Sequence, residues 1–186
     1  MRQVNLHIEG VPNPHAIKFV LENGMLTQEP YEFRIFSDTG YSPLARKLMM
    51  LKYIDRVLIF KNHITVLKLA SAEIEWEAVL PEIRNMISTH LGNNEPILYL
   101  GITERKHVKT DDELLEMIGQ ILDRHIRPAA QEDGGDILIE SFENGVLKVS
   151  LAGSCHGCPY VSTTVNQGLF PVVKQFVPEL QEVVWK

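Results

Sequence analysis

The chain has 186 residues, 45% of them hydrophobic and 23% charged, which suits a soluble globular protein of one large or two small domains and excludes a disordered one. Its net charge of −6 sits mainly in residues 101–186, where 13 acidic residues face 8 basic ones, so no basic patch is expected to bind nucleic acid or a membrane surface. No apolar run approaches the roughly 18 residues of a membrane span, and the first residues read as a folded strand rather than a leader, which points to the cytoplasm.

Val4, Leu6 and Ile8 alternate with polar residues, and Ile17, Phe19 and Leu21 repeat the pattern after Pro12-Asn13-Pro14, predicting a hairpin with a stiff loop. Tyr31, Phe33 and Ile35 form a third alternation. Ser42 before Pro43 is a helix start, because the serine oxygen can accept from an exposed N–H and proline lacks a donor the first turn could not use. Two apolar runs, 57–60 and 64–69, flank Lys61-Asn62-His63 and predict a second hairpin. Trp76, Val79, Leu80, Ile83, Ile87 and Leu91 then recur at helical spacing, with Pro81 expected to kink or restart that helix.

Residues 101–110 are polar and aperiodic, so the expected organisation is an N-terminal domain over 1–100, a linker over 101–110 and a C-terminal domain over 111–186. The second domain opens with Asp111-Asp112-Glu113, suited to a helix N-terminus, ahead of Leu114, Ile118, Ile121, Leu122 and Ile126. Pro128 limits that helix. After Asp133-Gly134-Gly135-Asp136, a strand from Ile137 and a return strand over 146–151 are joined by Asn144-Gly145, the strongest hairpin signal in the chain. Val161, Val165, Leu169, Val172, Val173 and Phe176 predict a second helix, with Pro171 breaking or kinking it, and 183–185 a last short strand. The fold class is therefore α+β: two small sandwich-like domains, the second in the order helix, strand, strand, helix, strand.

Cys155 and Cys158, the chain's only cysteines, fall between the return strand and that second helix, in Gly153-Ser154-Cys155-His156-Gly157-Cys158-Pro159. A thiol at a helix start is expected to ionise more readily, and the thiolate is what ligates metal or attacks disulfides. Three chemistries fit: an iron-sulfur cluster, a zinc-bridged structural dimer, and thiol-disulfide exchange with Cys155 as nucleophile and Cys158 as resolving thiol. Clusters and structural zinc usually take four ligands and this chain offers two thiolates, so a site shared by two chains is the simplest completion. Exchange sites of the thioredoxin type carry an aromatic residue before the first cysteine and proline before the second. Here Ser154 precedes, His156-Gly157 intervenes and proline follows.

The run Arg127-Pro128-Ala129-Ala130-Gln131-Glu132-Asp133-Gly134-Gly135-Asp136, together with the cysteine run, closely resembles the C-terminal domain of NifU-like (Nfu-type) iron-sulfur cluster scaffold and carrier proteins. The N-terminal half resembles that family's N-terminal domain through Pro12-Asn13-Pro14, Ile17-Lys18-Phe19, Ser42-Pro43-Leu44-Ala45-Arg46-Lys47-Leu48, Ile64-Thr65-Val66 and Trp76. The resemblance implies that Cys155 and Cys158 ligate a cluster, 4Fe-4S in preference to 2Fe-2S. It also implies a homodimer on cluster binding, cluster-assembly machinery as donor and apo iron-sulfur proteins as recipients. Tyr160-Val161 departs from the small hydroxyl residues many relatives carry there.

Of the remaining candidates, His156 could replace a thiolate but reads more simply as an exposed loop residue. Asp133 and Asp136, flanking two glycines, read as turn residues, and Met25, Met49 and Met50 as core filling. No nucleophile triad or phosphate-binding glycine loop is present, so an enzyme is not expected.

Overall fold

The computed structural model describes residues 4–34, 41–99 and 113–186; the expected linker and the end of the third alternation lie outside them. The first alternation becomes strands β1 (Leu6–Gly10) and β2 (Ala16–Leu21), followed by β3 (Thr27–Arg34). Helix α1 (Pro43–Met49) starts as expected, with the Ala45 amide donating to Ser42 Oγ at 3.1 Å. Strands β4 (Ile54–Lys61) and β5 (His63–Lys68) form the second hairpin, and α2 runs unbroken over Trp76–Gly92, with Pro81 inside it.

These strands make one antiparallel sheet in the order β1-β2-β5-β4-β3. Strand geometry sends alternate side chains to opposite faces. One face, bearing Ile17, Phe19, Val57, Ile59, Ile64 and Val66, is buried against Leu44 and Leu48 of α1 and Val79, Ile83 and Ile87 of α2.

In the second half, α3 (Glu113–His125) and α4 (Arg127–Glu132) are separated at Ile126, and Pro128 occupies the first turn of α4, where its missing donor costs nothing. Strands β6 (Gly135–Glu143) and β7 (Val146–Gly153) pair antiparallel through a turn in which Asn144 and Gly145 both take positive φ, 52° and 79°. Strand β8 (Glu182–Trp185) joins β7 in parallel. Between β7 and β8 lie a short turn α5 (Val161–Thr163), a π-helical segment over Thr164–Leu169, and α6 (Phe170–Phe176). The widened π turn immediately precedes Pro171, whose ring would crowd the carbonyl four residues back in a regular α-helix, and this accounts for the proline in the helical pattern. Ile118, Leu122, Ile137, Val149, Val165, Leu169 and Val173 form this half's core.

The five-stranded sheet is covered on its second face as well. Lys18, Leu58, Phe60, His63 and Thr65 project there and are buried. Leu58 and Phe60 pack with Ala152 of β7, and Lys18 Nζ donates to the Glu132 carbonyl at 2.8 Å. Lys61 Nζ donates to Gln131 Oε1, also at 2.8 Å. The second half thus rests on the first through β4, β5 and the turns that carry the thiols.

Candidate metal centre

β7 ends at Gly153, and the next five residues turn tightly. The Cys155 amide donates to Ala152 O at 3.3 Å, His156 to Gly153 O at 3.1 Å, and Cys158 to Cys155 O at 3.4 Å. Gly153 and Gly157 take φ of 58° and 66°, and Gly157 holds the turn between the thiols. The loop is tied to the Gly134 turn, as the Ser154 amide donates to Gly134 O at 3.2 Å and its hydroxyl to Asp133 O. Both sequence runs singled out above therefore meet in space. Gly135 stands against Cys155 so closely that a β-carbon would collide with Sγ.

Cys155 and Cys158 are free, half-buried, and line one cavity of about 410 Å³ with Ala130, Asp133, Tyr160 and Val165. Among the described residues no group of three or more histidine, cysteine or acidic side chains could hold a metal ion, so the two thiols are joined by no third such ligand there. His156 lies in the field of Arg56 and Glu32 of the other half and is held below the usual histidine range, first by burial and then by Arg56. Asp136 caps its own strand start, with Oδ1 accepting from the Ile137 amide at 2.9 Å and lying 3.7 Å from Arg127 Nε. Asp133 is held above the usual carboxylate range by burial and by Glu132. Asp133 thus lies in the turn, as expected, whereas Asp136 is a buried residue of β6.

Two further expectations are corrected: Met25 and Met50 are exposed rather than core filling, and the thiols are placed differently. The thiols do not sit on a helix N-terminus: α5 begins only at Val161, and the pKa of the half-buried Cys155 is pushed up to about 12, first by desolvation and then by the Cys158, Asp136 and Asp133 charges.

Two residues of the first half reach this loop and were not assigned a role from sequence. Glu32 Oε1 accepts from the Gly153 amide at 2.9 Å, while its Oε2 is held by Arg34 Nε at 2.8 Å and Arg56 Nη1 at 3.3 Å. Asn13 donates to Ser154 O at 2.9 Å and to His156 O at 2.8 Å. The prolines around Asn13 were the available signal; Glu32 sat in an alternating strand and gave none.

Residues 6–94 match the model of the scaffold protein Nfu/NifU N-terminal family, and residues 118–184 match that of the NifU-like domain. A NifU-like protein of Schizosaccharomyces pombe is 32% identical over 99% of this chain, which spans 73% of that protein. This chain belongs to the NifU-like, Nfu-type family. The human protein named NFU1 iron-sulfur cluster scaffold homolog, mitochondrial, is 30% identical over 98% of the chain and 72% of its own length. The Drosophila persimilis protein of that name is 33% identical over 98% of the chain, which spans 65% of it, just under two thirds. In this Nfu-type chain the N-terminal family region supplies the five-stranded sheet and the NifU-like region the thiol loop. No helix among the described residues is long and apolar enough to cross a membrane.

Proposed function

We propose that this chain is an iron-sulfur cluster scaffold and carrier, in which Cys155 and Cys158 provide half of the ligand set and a second copy provides the rest. The observation that carries this is the half-site itself: two free thiols on one tight loop, lining one cavity, with no third histidine, cysteine or acidic ligand grouped with them among the described residues. Soft thiolates suit iron-sulfur cargo, and a site split between two chains can be opened without unfolding either one. The relatives named as cluster scaffolds support the same reading. We take the cargo to be 4Fe-4S, received from assembly machinery and passed to apo-proteins, with the chain acting as carrier rather than catalyst. The division into domains over 1–100 and 111–186 joined by residues 101–110 belongs to this proposal. So does a reducing compartment such as the cytoplasm, which suits two free thiols, although the human and Drosophila relatives are named mitochondrial.

Thiol-disulfide exchange is the weaker reading. The loop lacks the aromatic residue before the first cysteine and the proline before the second that exchange sites of the thioredoxin type carry, with Ser154 and Gly157 in those places. The test is anaerobic reconstitution of the full chain with iron and sulfide, beside Cys155→Ser and Cys158→Ser. The parent should develop visible cluster absorption with matching iron and sulfide, and each variant should lose nearly all of it while keeping its circular dichroism. Full cluster in both variants, or brisk insulin reduction by the metal-free parent, would overturn the assignment.

A further inference from the structure

Cluster ligation leaves the Pro12-Asn13-Pro14 loop without a task, yet Asn13 is only 1% exposed. Its own half fixes it: the Ala16 amide donates to Asn13 O, Trp76 Nε1 to Pro14 O, and the His15 amide to Asn13 Oδ1, each at 3.0 Å. The last of these bonds settles which end of the side-chain amide is oxygen. Its NH2 group therefore points across the domain contact, where it donates to Ser154 O and His156 O, the carbonyls on either side of Cys155. Pro12 and Asn13 also wall the cavity that the two thiols line.

We infer that Asn13 is a positioning residue for the cluster ligands: from the N-terminal half it grips the backbone on both sides of Cys155 and holds the thiol loop in its ligand-presenting form. The inference rests on the cluster reading above for its purpose, but not for its geometry. An amide is the side chain for this place, because it offers two donors in one plane to two acceptors and still accepts from its own backbone. The flanking prolines restrict the loop before contact, so little freedom remains to be lost when the fork engages. The N-terminal half is then a working part of the ligand site, and the loop's geometry depends on the two halves staying docked.

Asn13→Asp tests this, since aspartate has the same shape but no donors and would set a negative charge against two carbonyl oxygens. Asn13→Ala serves as the milder variant should the first fail to fold. Lys61→Ala, which removes the exposed Lys61 contact with Gln131 across the same pair of halves, is the control for general loosening. In metal-free full-length protein, iodoacetamide labelling of Cys155 and Cys158 is followed by mass spectrometry at one pH; in reconstituted protein, iron loss to a ferrous chelator is timed. Each lost hydrogen bond is worth a few-fold in an equilibrium, so Asn13→Asp should label and lose iron about tenfold faster than the parent, Asn13→Ala somewhat less, and Lys61→Ala within about twofold of the parent. Unchanged labelling in both Asn13 variants overturns the inference, as does equal acceleration by Lys61→Ala. Labelling needs no cluster, so the two readings fail separately: faster labelling of the Asn13 variants beside a parent that takes up no iron refutes the cluster and keeps the clamp, whereas unchanged labelling of the variants beside a parent that loads normally refutes the clamp alone.

Discussion

A β-carbon at Gly135 would run into Sγ of Cys155 and stand 2.9 Å from the Cys155 nitrogen and 3.0 Å from Ala152 O. Two of these neighbours are backbone, so the strain cannot be relieved by turning a side chain. Gly135→Ala is therefore expected to displace Cys155, to cost about 1–3 kcal/mol of stability as overpacking does, and to weaken iron retention. Urea denaturation and iron content after desalting check it, and parent-like values in both would show that the loop yields freely. At this scale the sequence was half legible. The cysteines and paired glycines declared themselves by type and spacing, but a thiol's pKa depends on burial, which spacing does not encode. For Asn13 and Glu32 the partners are more than a hundred residues away, at Ser154, His156 and Gly153.

Among elements, those made by local chemistry were the legible ones: the Ser42 cap, the Asn144-Gly145 turn and the apolar period of α2 each depend on residues within a few positions. The apolar runs of β4 and β5 announced strands without saying what covered their second face. Alternation alone would send Lys18 and Thr65 to water, yet both are buried because the thiol-bearing half lies on them. His63 shares that face, with Nε2 unpartnered and a pKa lowered to about 4 by burial, with Lys18 and Lys61 adding to the cost of charging it and Glu9 opposing. Since the folded value lies below the ordinary 6.5, the unfolded chain binds the proton more tightly. The stability His63 contributes is thus complete above pH 6.5 and is lost as pH falls through about 4. His63→Phe should flatten the acid limb of a stability-versus-pH curve by up to about 3 kcal/mol, while a limb as steep as the parent's would mean that His63 is charged in the fold without penalty.

For the whole molecule, ligand counting dominates. The chain buries its apolar faces within itself, in one core for each half and in the Leu58, Phe60 and Ala152 contact between them, so a second copy is not required for folding. The proposed ligation does require one, because two thiolates leave a four-thiolate site half filled. Association should therefore follow loading. Sedimentation or light scattering of metal-free and reconstituted full-length protein, with iron and sulfide counted per chain, tests this most directly. A monomer is expected without metal, and a dimer with about one cluster per two chains after loading. A loaded monomer holding a complete cluster with no added thiol would contradict it.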